Sequence, residues 1–295
     1  MSDKPALRPG QAVGEALRAF ARNILAEARS TIDDRTKSDA VAVHDIRRTL
    51  KRWRALLRLL GPVLGQGGRN LRDEARDLAR ALGGARDAQS SLDALTDLAG
   101  HGLDFSPRSL ATVRARIEAM RSAAETTTLD AAMRARLHTA LDEAGTAVAV
   151  WPIDAVTFDD VAERLTGGYR LALRAVPDNW QAASGEALHE LRKRVVTHRY
   201  QMDLVAPLWP RFSRMWTGEC QRLRERLGQH QDLTLLAGLA APHQPLARWR
   251  SRLAPAIAKR QAVHAAGAAR VAARLFVEKP NALRRKLETM WQAGR

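Results

Sequence analysis

Cysteine, aromatic residues, acidic residues and long apolar runs are all scarce in this chain. The single cysteine, Cys220, excludes an intrachain disulfide framework and fits a reducing compartment. Aromatic residues make up 5% of the sequence. The seven Trp sit mainly among apolar residues at helical spacing, where packing accounts for them without a base-stacking platform. The longest apolar stretch, near Ala147 to Trp151, stops at Pro152, well short of the ~20 residues that span a bilayer. The amino-terminal MSDKPALRPGQAVG lacks the apolar centre of a secretory signal. These absences predict a soluble, cytoplasmic protein with no membrane partner. The 32 acidic residues against 48 Lys and Arg leave a net charge of +16, which favours nucleic acid, an anionic surface or another polyanion as partner.

Catalytic signatures are missing as well. There is no Gly-x-x-x-x-Gly-Lys phosphate loop, no Gly-x-Gly-x-x-Gly, no Gly-x-Ser-x-Gly elbow and no His-Glu-x-x-His pair. Cys220 lies in Glu219-Cys220-Gln221 with no activating base nearby, so it reads as a small core residue. No two helical histidines have the i, i+4 spacing that would place both imidazoles on one ion, and the carboxylates are dispersed as single helical positions. The expectation is a protein without catalytic residues, metal or cofactor.

What the chain has in abundance is helical periodicity. Val13, Leu17, Phe20, Ile24 and Leu25 recur at helical spacing over about residues 11–32, and Asp33-Asp34 marks the break. A second helix from His44 is predicted to end near Gly61-Pro62, with a turn over Gly65 to Gly68. Leu71, Ala75, Leu78 and Leu82 mark the next, ended by Gly83-Gly84, after which Asp87 is a candidate cap. Further helices are expected over 107–125, 129–150 and 158–173, from His189 to Pro207, and over 246–277 and 281–291. No stretch alternates at period two, so the fold class is all-α.

The segment His44 to Leu60, HDIRRTLKRWRALLRLL, carries the clearest functional signal. At roughly 100° per residue, Ile46, Leu50, Trp53, Leu56, Leu57 and Leu60 share one side. His44, Arg47, Arg48, Lys51, Arg54 and Arg58 share the other, and Arg52 falls near the seam. Solvated helix faces usually mix charge signs, whereas Asp45 is the only acid in this segment. The row from Arg47 to Arg58 spans ~16 Å of helix, which suits successive phosphates better than one small anion. Arg can fork onto two phosphate oxygens, while Lys acts as a mobile point charge. Arg72 and Arg76 extend the basic pattern.

A second copy begins at His189, HELRKRVVTHRYQMDLV, 145 positions after His44. Glu219, Leu223, Leu227, Gly228 and Asp232 stand at the same offset from Glu74, Leu78, Leu82, Gly83 and Asp87. A duplicated helical unit with its boundary near residue 151 follows, giving 1–151 and 152–295 as the two repeats. The second copy is weaker: Arg192, Lys193 and Arg199 match Arg47, Arg48 and Arg54, but Val196 and Thr197 replace Lys51 and Arg52, and Asp203 replaces Arg58. Arg222 and Arg226 supply charge on a shifted side. His198 stands where the first copy has Trp53 and reads as a hydrogen-bonded, semi-buried histidine. His44 and His189 leave two roles open, an anion contact or a structural bond at the helix start.

His44-x-x-Arg47 with Lys51-Arg52-Trp53-Arg54, His189-x-x-Arg192-Lys193 with Arg199-Tyr200, and Leu82-Gly83-x-x-Arg86-Asp87 with its partner Leu227-Gly228-x-x-Gln231-Asp232 together resemble the CHAD family, the conserved histidine α-helical domain. The resemblance covers nearly the whole chain. It implies two helical bundles related by a pseudo-twofold axis, long amphipathic helices around a basic groove or pore, and non-enzymatic binding of inorganic polyphosphate, with association with polyphosphate granules. The implied site comprises His44, Arg47, Arg48, Lys51, Arg52, Arg54, Arg58, Arg72, Arg76, His189, Arg192, Lys193, Arg199, Arg222 and Arg226. No CYTH-type triphosphatase barrel is present, so hydrolysis is not implied. The alternative partner for the same basic faces is a nucleic-acid backbone.

Overall fold

A computed structural model describes residues 5–83, 86–125 and 129–294. Among them are ten α-helices and no strand: α1 Val13–Asp33, α2 Asp39–Ala81, α3 Arg86–Ala99, α4 Pro107–Glu125, α5 Ala131–Ala149, α6 Phe158–Arg174, α7 Gly185–Met202, α8 Pro210–Leu239, α9 Arg250–Leu275 and α10 Pro280–Ala293. The starts of α5, α6 and α7 are set by short polar side chains that satisfy free amides of the first turn. The Asp130 carboxylate accepts from the Met133 amide, the Ser184 hydroxyl from the Ala187 amide, and Thr157 and Asp160 cap α6 reciprocally. Asp87 is the second residue of α3 rather than its cap.

The helix from His44 does not stop at Gly61-Pro62. Pro62 sits inside α2, and the break comes at Gly65, whose φ of 54° and ψ of −133° lie outside helical space. Pro62 removes the i→i−4 bond to the Arg58 carbonyl, and the first limb runs only three residues beyond it. Gly65 adopts a positive φ that glycine tolerates at no steric cost, and α2 folds there into two antiparallel limbs. Three cross-limb approaches show the register: the Arg47 guanidinium donates to the Ala79 carbonyl at 2.5 Å, Arg54 lies beside Arg76, and Arg58 lies beside Arg72.

In the second half the corresponding hairpin is made by α7 and α8, with the 3-10 segment Asp203–Leu208 leading to Pro210 at the start of α8. Here too the proline at the sequence-predicted stop, Pro207, lies within a helical segment: α7 itself ends at Met202. Pro255 is likewise accommodated in the first turns of α9.

Neighbour relations recur between the halves: α1 packs on α2 and α5, as α6 packs on α7 and α10, and α3 packs on α4, as α8 packs on α9. Two apolar cores result. The larger takes residues from α1, α2, α5, α6, α7, α10 and the near ends of α8 and α9. The smaller joins Leu92, Leu95, Val113 and Ile117 to Leu233, Leu236, Trp249 and Leu253. Each core therefore draws on both halves of the sequence, and α8, which is 30 residues long, runs through both.

Five of the seven Trp (53, 151, 216, 249 and 291) are buried, as packing predicts, and Trp53 stacks on Trp151 with ring centroids 5.7 Å apart. Cys220 is fully buried, and burial pushes its thiol up to about 12, consistent with the core role read from the sequence. Tyr169, also buried, donates its hydroxyl to the Glu278 carbonyl at 2.7 Å. Replacing it by Phe keeps the ring packing but leaves that carbonyl without its donor, so Tyr169→Phe is expected to cost about 1 to 3 kcal/mol in urea unfolding.

Candidate functional site

The hairpin at Gly65 brings the basic stripe of the first limb of α2 against basic residues of the second. Arg54 is half-buried, and its pKa is lowered first by desolvation, then by Arg76, Arg72 and Arg80, with Asp73 opposing weakly. Arg58 is lowered by desolvation first, then by Arg194, Arg72 and Arg54. Its side chain is nonetheless open to solvent. A group that is exposed and desolvated at once is surrounded by protein while still reachable, unlike one on a convex surface. His44 has the same character: it is exposed, and desolvation leads the lowering of its pKa, with Lys51, Arg48 and Arg224 acting in the same sense.

The carboxylates near this cluster are already engaged. Asp73 and Asp77 pair with Arg76 at 3.1 and 3.3 Å. Glu190 pairs with Lys193 at 2.5 Å and with Arg194 at 2.7 Å. Asp45 pairs with Lys37 and Arg48. Across the α2–α7 contact, Arg58 reaches the Thr197 hydroxyl at 3.4 Å, and the Gln201 amide donates to the Ala55 carbonyl at 3.0 Å. This second bond is buried and holds α7 in register against the basic limb.

The two copies share one close approach. The Arg47 guanidinium passes over Gly83, where an added Cβ would stand 3.4 Å from Nη1, and Arg192 passes over Gly228, where a Cβ would stand 3.4 Å from Nε. Both pairs are separated by the same 36 residues, so an arginine lies across the opposing limb at the equivalent place in each hairpin. The Arg86 side chain of the Leu82-Gly83-x-x-Arg86-Asp87 motif lies outside the described residues.

The structure thus brings together His44, Arg48, Lys51, Arg54, Arg58, Arg72 and Arg76, with Arg47 tying the limbs. From α7, Lys193 stands on Glu190 beside the cluster, and Arg199 lies 5.0 Å above the Tyr200 ring. His189 and Arg192 are half-buried on the same helix. Three residues lie apart. Arg52 turns to the α1 side and pairs with Glu27, Arg222 pairs with Glu219, and Arg226 lies against Gly267 of α9. Three cations absent from the sequence-based set join the cluster: Arg80, Arg194 and Arg224. Arg80 continues the Arg72, Arg76 spacing and was legible. Arg194 and Arg224 align with Thr49 and Ala79 of the first copy, so the repeat gives no signal for them.

His198 is fully buried rather than semi-buried, with burial lowering its pKa to about 4, and its Nε2 accepts from the Trp216 indole at 3.2 Å. Among the described residues, no group of three or more His, Cys, Asp or Glu is placed to hold a metal ion, and no helix is long and apolar enough to cross a membrane.

An all-helical protein with two helical hairpins, one of them crowded with arginines, is the class that this architecture defines. The family model of the CHAD domain matches residues 15–241, and the chain belongs to that family. Two solved structures share the fold. The crystal structure of the CHAD domain from the plant Ricinus communis is similar over 97% of this chain and 95% of its own, with a TM-score of 0.61 and 21% identity. PptA from Streptomyces chartreusis is similar over 96% of this chain and 100% of its own, with a TM-score of 0.62 and 19% identity. None of the curated proteins compared matches the chain.

Proposed function

We propose that this protein binds inorganic polyphosphate, without turning it over, in a basic groove whose main wall is the α2 hairpin. The groove comprises His44, Arg48, Lys51, Arg54, Arg58, Arg72 and Arg76 together with Arg80, Arg194 and Arg224. His189, Arg192, Lys193 and Arg199 make the weaker second wall, and Arg52, Arg222 and Arg226 stand outside it. In this reading the halves 1–151 and 152–295 are two repeats of one CHAD module about a pseudo-twofold axis, and the protein works in the cytoplasm on polyphosphate granules.

The observation that carries the proposal is the crowding of Arg54 and Arg58 against Arg72, Arg76, Arg80 and Arg194, beside carboxylates that are already paired. Guanidinium groups stay charged in proteins. Holding them together raises a local positive potential that an entering polyanion relieves. Polyphosphate bears a charge on every unit and no bases, so it requires forked and point cations and no aromatic platform. Buried tryptophans and an arginine-lined hairpin match that requirement.

Two measurements on the purified protein test this. About six phosphate contacts, at ~0.7 released counterions each, give a log–log salt slope of about −4, so a fourfold rise in salt is expected to weaken binding roughly 300-fold. A salt-insensitive complex would exclude the electrostatic mechanism. In competition at equal phosphate concentration, RNA and DNA are expected to leave long-chain polyphosphate bound. Displacement by either would instead assign the basic walls to nucleic acid.

A further inference from the structure

The second limb of α2 has another face. Arg72 and Arg76 belong to the cationic cluster, while Leu71, Ala75 and Leu78 on the adjoining face line a cavity of about 270 Å³, open to solvent on one side, against α1, the first limb of α2 and α5. Its walls are apolar, formed by residues such as Ile24, Leu50, Trp53, Leu137 and Leu141, and its polar lining includes Glu74 and Glu143. Native interiors pack as densely as organic crystals and leave few voids larger than a water. Apolar cavities of ~150 Å³ stay dry and take up a molecule the size of benzene. A cavity nearly twice that size has room for a chain of about ten non-hydrogen atoms.

The polar groups narrow the class of ligand. Glu74 pairs with Arg136 at 3.1 Å, and Glu143 is exposed with neither an ion pair nor a hydrogen bond among the described residues. With Glu74 matched by Arg136, the lining keeps one unmatched carboxylate, Glu143, which opposes the net charge of +16 of the chain. It rejects a fatty-acid carboxylate and complements a cation. We propose that this cavity is a second binding site, for a small lipophilic amine whose alkyl or aryl-alkyl tail fills the apolar interior and whose ammonium group rests at Glu143. The site is independent of the polyphosphate reading, because none of its lining residues belongs to the cationic groove.

Calorimetric titration of the full-length protein with n-octylammonium, 1-octanol and octanoate, each below its aggregation threshold, tests the proposal. The expected order of affinity is ammonium, then alcohol, then carboxylate. Glu143→Gln, a surface change, is expected to weaken octylammonium two- to five-fold, the effect of an exposed ion pair, and to leave octanol unchanged. Ala140→Phe, which projects a ring into the cavity, is expected to abolish binding of all three, with circular dichroism checking the fold. Absence of saturable octylammonium binding, equal affinity for octanoate, or no effect of Glu143→Gln would each overturn the assignment. Persistence of binding in folded Ala140→Phe would place any ligand elsewhere and overturn it as well.

Discussion

Replacing Arg54 and Arg58 together by Glu is expected to lower the affinity for long-chain polyphosphate by about three orders of magnitude while the helical fold is retained. Each arginine supplies charge-assisted hydrogen bonds worth about 1.5 to 3 kcal/mol, so losing two costs about 4 kcal/mol, and every 1.4 kcal/mol is tenfold in affinity. The new carboxylates stand opposite Arg72 and Arg76 across the hairpin. They would pair with those residues, which deepens the loss of binding and replaces cross-limb repulsion by attraction in the folded state. Arg52→Gln is the matched control, because Arg52 pairs with Glu27 away from the cluster, and its affinity is expected to stay within a few-fold of wild type. Fluorescence anisotropy with labelled polyphosphate of defined length reads both variants. Binding by the double variant within tenfold of wild type would move the site away from the α2 hairpin.

The largest expected effect on stability lies away from the basic walls. Asp97 in α3 accepts two hydrogen bonds from Arg260, each 2.7 Å, and stands 2.9 Å from His264 Nε2, joining α3 to α9 in the smaller core. Asp97 and Arg260 are 17% and 13% exposed and His264 is not exposed at all, so removing the carboxylate leaves cationic and polar groups buried without an acceptor. Asp97→Ala is expected to cost about 3 to 5 kcal/mol, the usual result of breaking one side of a buried pair, read as a lowered urea midpoint. Adding Arg260→Met should restore part of the loss, because an apolar side chain of similar length removes the uncompensated charge. A double variant no more stable than the single one would contradict this account.

The same cluster sets an acid limit. Burial would raise the Asp97 carboxyl, but hydrogen bonds from Arg260 and His264 outweigh it and hold the pKa at about 2, against an ordinary value of 3.8. A group depressed in the folded state stabilises above its unfolded pKa and loses that contribution as pH falls through the folded value. The contribution, about 2 kcal/mol at 1.36 kcal/mol per unit, is therefore expected intact above about pH 4 and lost towards pH 2. Asp97→Asn should lack this acid dependence.

Much of this molecule follows from its local sequence. A 3.6-residue period is a property of adjacent side chains, so α1, α4, α5 and α6 could be bounded within a few residues from Val13, Pro107, Asp130 and Phe158 onwards. The offset of 145 residues aligned two hairpins whose limbs pack in the same register, Arg47 on Gly83 and Arg192 on Gly228. The stop of the His44 helix was misplaced because proline weakens a helix without deciding where it ends. Gly65, three residues later, admits the backbone angles that turn the chain.

By itself the sequence determined that the chain is helical, that the segments from His44 and His189 match at an offset of 145 residues, that one face of the His44 helix is cationic, and that it carries the motifs of the CHAD family. Only the tertiary structure decided which cations meet. Arg194 and Arg224 have no basic counterpart at the matching positions of the first half and join the cluster because α7 packs against α2 and α8 packs on α7, while Arg52, one residue around the helix seam, is drawn to Glu27 instead. The same packing buried His198 against Trp216 and left a cavity under Leu71 and Leu78. The physical reason is range: helix propensity and amphipathicity act over a few residues and are written locally, whereas charge crowding, burial and void volume depend on how distant helices pack.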